Sequence, residues 1–452
     1  MRATSSATNR DRGEVNGSTV VCHEAYIQIP HLSLTRNHCS VYTARMTDNT
    51  ADNHSNETPE LDAWLEATNA LGSGYRNART FSSDQPIVHM TGPKGDILLR
   101  QWPASATAGH ISWIADALDA AHQSIGDQIP TIAPLPDTPE RRSLAIMGHQ
   151  YTRSSYLPGF PLGRYGGYRT PAGQTINLPL HESAGAGDLV MEAARLIARV
   201  HLATGDIAER NDAPISNLNQ MLRSVRDVWA EQRRLLGDIA ADNRDIRRWL
   251  RCGNRIIPTA SDLLRNEPTL MQERSVLVHG NFWPDDILVD RSAGNERITG
   301  IVGWQSAAAG SPVLDLAALA VHMQGWSAAT TEAIVESYSR VAPLRPEQRR
   351  LVPVVASLDL VACVAWLLRL NYVDDNMIGH RAMPVIRSGM KTLLNSLEVL
   401  THILAPDIEQ TTRFQRRGGS APGGTGRRFA PGVGRGRSTS PHRPDSKDRR
   451  KR

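Results

Sequence analysis

The reading of this chain turns on Val276-Leu277-Val278-His279-Gly280-Asn281-Phe282-Trp283-Pro284-Asp285-Asp286-Ile287-Leu288-Val289-Asp290, answered by Ile298-Thr299-Gly300-Ile301-Val302-Gly303-Trp304-Gln305. Val276 to Val278 and Ile287 to Val289 are short apolar runs, the pattern of buried strands. The polar segment between them gathers His279, Asn281, Asp285 and Asp286 at their shared end, so charge is displayed from a rigid base.

Around this stretch, 452 residues with 40% hydrophobic content suffice for two or three domains with sizeable cores. The net charge of +5 is unevenly placed. Residues 413–452 hold 13 Lys or Arg against 2 Asp or Glu, a net +11, and +5 less +11 leaves −6 for the rest. A mildly acidic body argues against a nucleic-acid-binding core and confines any such contact to the tail. Cys22, Cys39, Cys252 and Cys363 form no C-x-x-C pair and have no His at zinc-ligand spacing, which fits reduced thiols in a cytoplasmic protein. The first 20 residues are polar and lack a secretory apolar region. The longest apolar run, Leu351 to Leu370, contains Pro353, Ser357 and Asp359, so it reads as a buried helix and no membrane span is expected.

Residues 1–56, rich in Thr, Ser, Asn and Asp, read as a disordered leader, and Met46 is an alternative start. From Pro59 a short helix carries Leu61, Trp64, Leu65 and Leu71 and stops at Gly72-Ser73-Gly74. Strands are expected over Tyr75–Ser82, Pro86–Met90 and Asp96–Trp102, the last two joined by a turn at Thr91–Gly95. Ile111, Ile114, Leu118 and Ala121 place a helix face on that sheet. Ala145–Met147 and His149–Tyr151 predict a hairpin, and residues 160–185 an irregular loop. Helical spacing follows through Val190 to His201, Met221 to Ile239, Ala317 to Gly325, Ala328 to Val341, Leu351 onward and Ile386 to Leu404. From Arg413 no apolar period survives, and a disordered basic tail over 413–452 is open to an anionic partner or to solvent alone.

The central stretch resembles the aminoglycoside phosphotransferase family, whose catalytic loop reads H-G-D-x-x-x-x-N and whose metal strand reads I-D-W. The flanks share the likeness, with Phe282-Trp283-Pro284 after the loop, Ile298–Val302 before the Trp, and Gly310-Ser311-Pro312-Val313-Leu314-Asp315-Leu316-Ala317 beyond. The resemblance implies an α+β, two-lobed protein-kinase-like fold. Residues 57–153 would be the strand-rich lobe covering the nucleotide, and residues 154–412 the helical lobe holding the catalytic-loop-like stretch 276–305. It also implies transfer of the γ-phosphate of ATP or GTP, with Mg, to the hydroxyl of a small substrate. Arg100 matches the basic residue that holds nucleotide phosphates; the bland reading is a solvated strand Arg. Tyr156 and Leu157 lie in the Ser154–Gly159 segment that matches the interlobe hinge against the adenine edge.

Three chemical positions depart from the pattern. Asn281 stands at the base Asp, Asp286 at a metal-binding Asn, and Gly303 at the metal-binding Asp. Asn281 takes up no proton at neutral pH, and loss of a general base alone costs about 10²–10⁴-fold. Magnesium needs anionic oxygens near the phosphates, so the Gly303 change is the graver one. Asp286 and adjacent Asp285 are the carboxylates left to hold metal. His279 is expected to fix the loop through a ring N–H, and Asp315 to brace it from a helix start. Two readings stand: a phosphotransferase with impaired catalysis, and a non-catalytic pseudokinase or scaffold whose basic tail contacts an anionic partner.

Overall fold

Five strands form one antiparallel sheet in the order β1-β2-β3-β5-β4: β1 (Arg76–Thr80), β2 (Ile87–Thr91), β3 (Ile97–Gln101), β4 (Leu144–Ile146) and β5 (His149–Ser155). This computed structural model describes residues 66–72, 74–80, 87–163, 168–169, 175–176, 186–210, 212–266, 275–290, 296–323, 325–373 and 383–406. The leader over 1–56, the first turns of the helix expected from Pro59, and the tail over 413–452 lie outside the described residues. Both hairpins follow from local chemistry. Gly95 sits at φ 101° and donates its N–H to Gly92 O at 3.2 Å, closing β2 onto β3. Met147 and Gly148, at φ 47° and 84°, are the two left-handed residues that a tight two-residue hairpin demands.

Helix α1 (Ala108–Ile125) starts where Thr107 accepts the His110 N–H and stops at Gly126, φ 88°, whose N–H meets His122 O. Its periodic face, Ile111, Ile114, Leu118 and Ala121, is wholly buried. Ile114 and Leu118 face β3 and β5 across a small cavity, as expected, but the face as a whole joins the large helical core, principally against α2 (Ala186–Ala208). The small sheet buries little beyond its own side chains, so the helix finds more apolar area on the helical side.

The segment after Gly159 departs from the expected irregular loop. Phe160–Pro161 forms a strand, β6, against the central stretch, and β7 (Tyr168–Arg169) pairs with β8 (Thr175–Ile176). Next come β9 (Ile215–Ser216), α3 (Leu218–Gly237) and α4 (Arg244–Arg265). Helix α4 was not among the expected helices, although Ile246, Trp249, Cys252, Ile256, Ala260 and Leu264 form a buried stripe opposite its Arg-rich outer face and Pro258 lies inside it. Asn243 caps it through the Asp245 and Ile246 N–H groups, and Trp249 is fully buried with its Nε1–H on Val361 O.

The two apolar runs of the central stretch become β10 (Val276–Val278) and β11 (Ile287–Asp290), in separate sheets. β11 lies between β12 (Arg297–Ile301) and β6, while β10 pairs with β13 (Ala308–Gly310), which also meets β9. Helices α5 (Val313–His322), α6 (Ala328–Ser339), α7 (Pro346–Tyr372) and α8 (Met383–Leu404) complete the helical lobe. α7 is long and apolar enough to cross a membrane, yet 83% of its most apolar window is buried inside the protein. Truncating one of its inward residues, such as Leu358, costs about 2–5 kcal/mol, the range for a buried Leu.

Candidate active site

The turn after β10 is held from below. Gly280 takes φ 80°, which lets the chain reverse, and the His279 and Gly280 N–H groups both point at Asp315 in the first turn of α5, at 2.8 and 3.2 Å. Asp315 also takes a ring nitrogen of His201 at 3.1 Å, and His201 meets the Tyr338 hydroxyl at 2.7 Å. Burial by itself would raise the Asp315 carboxyl. The His201 hydrogen bond, the charges of His201 and His279 and the His279 N–H outweigh it and hold the group below the usual carboxylate range. Asp315 is the brace its helix-start position implied, and its link to His201 on α2 is what the sequence did not reveal.

His279 is completely buried. Its Nε2 lies 2.7 Å from Val302 O, with Phe282 and Trp304 packed on the ring. The loop then enters a turn of 3₁₀-helix, Pro284–Asp286. Asp286 Oδ2 accepts the Trp283 N–H at 2.8 Å and its carbonyl accepts the Val302 N–H at 2.9 Å, tying the loop to the end of β12. Asn281 is buried, and its Oδ1 accepts the Trp283 Nε1–H at 2.9 Å.

Asp285 packs against Gly163, where an added Cβ would collide with its carboxylate. The surrounding chain is dense although an edge of the side chain reaches solvent, and this burial pushes its pKa up to about 7. It therefore carries only part of a negative charge near neutrality.

Gly303 adopts φ 93° and ψ 19°, opening a 3₁₀ turn over Trp304–Ser306. The position thus lacks a carboxylate and also uses the left-handed backbone that glycine adopts freely. Beyond it, Gln305 Oε1 accepts a hydrogen bond from Arg100 Nη1 at 3.0 Å. The acids of α1 are engaged elsewhere, Asp116 with Arg210 and Asp119 with Arg142, each at 2.7 Å. Between β3, β5, α1 and Val302–Gln305 lies a mostly apolar cavity of about 40 Å³, with Arg100, Leu98, Ile114 and Gly303 in its lining.

Tyr156 and Leu157 leave β5 beside this cavity. The Tyr156 ring stacks on His89 at 4.1 Å, and its N–H turns back to Asp96 O at 3.3 Å. Leu157 buries its side chain against Leu288 and Val302, fitting over Gly300, where a Cβ would strike it. The Ile301 N–H donates to Gln128 O, and the Gln128 side-chain Nε2–H donates to Ile298 O, fastening the segment after α1 to β12.

On the opposite side of the loop, Gly280 and Asn281 face a second cavity of about 50 Å³ with Ser216, Asp315, His322 and Asp359. Sequence reading singled out neither Gln305 nor the His322–Asp359 pair; these residues meet only through tertiary packing.

A strand-rich lobe and a helical lobe, with a buried histidine loop and a returning strand at the junction, define the protein-kinase-like fold of small-molecule phosphotransferases. The profile of the phosphotransferase enzyme family, APH, matches residues 77–351, and the chain belongs to this family. Among solved structures, an aminoglycoside phosphotransferase from Alicyclobacillus acidocaldarius is similar at 12% identity and TM-score 0.50, covering 75% of this chain and 96% of that one. A microcompartment-associated aminopropanol kinase matches at 14% identity and TM-score 0.49, over 77% of this chain and 98% of its own. The GDP complex of an aminoglycoside 2'-phosphotransferase-IIIa matches at 15% identity and TM-score 0.45, over 74% and 97% of the two chains. No curated protein matches the sequence.

Proposed function

We propose that this chain is a nucleotide-binding member of the family, of the small-molecule kinase type, in which phosphoryl transfer is impaired. One observation carries this reading: of the carboxylates retained around the loop, Asp315 and Asp286 are engaged in holding it, and Asp285 is pressed against Gly163 with its pKa raised to about 7 by burial. Asp315 receives two backbone N–H groups and His201, and one oxygen of Asp286 receives the Trp283 N–H. Gly303 contributes no side-chain oxygen, and Asn281 offers an amide that is itself hydrogen-bonded to Trp283.

This donor set does not fit the Asn-and-Asp magnesium site that the family pattern implies, because the Asp position is Gly303, which offers no side-chain oxygen. What the residues favour is recognition of ATP or GTP. The Tyr156–Leu157 connector supplies backbone polarity and an apolar wall, and the Arg100 guanidinium, poised by Gln305, supplies positive charge for phosphate. The scaffold reading shares this geometry and differs in predicting no turnover at all.

The test is isothermal titration of the full chain with ATP and GTP, with and without magnesium, beside a phosphotransfer assay. Nucleotide binding with little magnesium enhancement and near-background transfer is expected. Robust magnesium-dependent turnover by the unmodified chain would overturn the reading, and failure to bind any nucleotide would leave the scaffold alternative.

A further inference from the structure

Behind the second cavity, three potential metal ligands converge from two helices. His322 closes α5, while Asp359 and Cys363 sit four residues apart on one face of α7. His322 Nε2 lies 2.6 Å from Asp359 Oδ2, the Cys363 Sγ lies 3.6 Å from Asp359 Oδ1, and all three ligand atoms fall within 4.8 Å of one another. The His322 and Cys363 residues are 2% exposed, while the Asp359 side chain, at 20%, opens onto the cavity beside Asn281. The other ring nitrogen, His322 Nδ1, is buried with no hydrogen-bond partner among the described residues. A simple His–Asp brace explains the short contact but not the thiol aimed at the other oxygen of the same carboxylate.

We propose that His322, Asp359 and Cys363 form a binding site for a borderline-soft divalent cation of the Zn²⁺ type, with a fourth coordination position facing the cavity next to Asn281. Imidazole and thiolate together select zinc-like ions over magnesium, which prefers oxygen ligands alone. Metal–ligand bonds of about 2.0–2.3 Å in tetrahedral geometry place ligand atoms roughly 3.3–3.7 Å apart. The sulfur–oxygen pair at 3.6 Å already meets that spacing. The 2.6 Å contact of His322 Nε2 is to the other oxygen, Oδ2, so the carboxylate must turn to present Oδ1 to the ion and let the imidazole draw back to about 3.3 Å, and Asp359 has cavity space into which to move. Binding is balanced in protons: Cys363 releases its thiol proton to solvent, and the imidazole proton that lies between Nε2 and Asp359 moves to Nδ1 as Nε2 takes the ion.

The site touches the loop. The Trp283 ring stacks on His322 at 3.8 Å, and the same indole holds Asn281. A cation there would fix Trp283, and its open position would take water, an anion or a hydroxylated ligand from the cavity. The inference stands independently of any phosphotransfer activity.

Full-length protein, stripped with chelator, is titrated with Co²⁺ and then with Zn²⁺. One equivalent of Co²⁺ should give visible tetrahedral bands and a thiolate charge-transfer band, both abolished by Zn²⁺. Cys363→Ser should remove the charge-transfer band, and His322→Gln should weaken Co²⁺ binding at least 10-fold, with folding checked by circular dichroism. No thiolate band in the wild type, or a band that survives Cys363→Ser, overturns the proposal. Should either variant fail to fold, X-ray absorption of the zinc-loaded wild type decides. One sulfur at about 2.3 Å with nitrogen and oxygen at about 2.0–2.2 Å supports the site, and a shell with no sulfur or several sulfurs refutes it.

Discussion

Asp285→Asn tests the electrostatics of the loop most directly. The burial that lifts Asp285 from 3.8 to about 7 makes the native state hold a proton that the unfolded chain has already lost between those values. Stability therefore falls as pH rises through that window, because ionising the native carboxyl is penalised. The full difference of about 3 units corresponds to about 4 kcal/mol at most. Water at the exposed edge of the side chain screens part of it, so about 2 kcal/mol is the expected size. Asparagine preserves the shape and removes the charge. The variant should match the wild type near pH 4 and be more stable by about 2 kcal/mol at pH 8, as measured by urea unfolding followed through tryptophan fluorescence. A variant less stable than the wild type at pH 8, or a difference independent of pH, would show that Asp285 is ionised and partnered, and the argument would fail.

Returning carboxylates through Asn281→Asp with Gly303→Asp should raise magnesium-dependent nucleotide affinity in titration calorimetry. The second substitution should cost about 1–2 kcal/mol of stability because an Asp must then occupy the left-handed backbone at φ 93°; no magnesium effect in a folded double variant would argue against Gly303 as the missing ligand. Asp315→Ala strips a buried acceptor from His279, Gly280 and His201 and should destabilise by about 3–5 kcal/mol, with a loss near zero marking the brace as dispensable. Since the native Asp315 pKa lies below its ordinary 3.8, its contribution is full above that value and disappears as pH falls through the native one, opposite in sign to Asp285. Gly253→Ala places a Cβ about 2.2 Å from the Trp229 ring and should cost about 1–3 kcal/mol in chemical unfolding; an unchanged midpoint would mean the α3–α4 contact yields freely.

Much of the fold was written locally. Hairpin glycines, the helical period of Val190 to His201 and the apolar run of α7 depend on neighbours within a few residues, so composition and spacing reveal them. The loop motif and its three departures were equally legible, because the identity of a side chain is itself the chemical fact. Helix α4 was legible too, for Ile246, Trp249, Ile256, Ile257 and Leu264 recur at helical spacing, although it was not among the expected helices, and only packing shows Trp249 covered by α3 and α7. The direction in which α1 faces, the separation of β10 and β11 into different sheets, and the Arg100–Gln305 contact across 205 positions were settled by packing. So were the states of the acids: a carboxyl near pH 7 at Asp285 and a depressed one at Asp315 follow from burial and hydrogen bonds, which exist only once distant segments meet. The His322–Asp359–Cys363 cluster is the clearest case, for its spacing matches no ligand motif and only the contact of α5 with α7 brings its three atoms together.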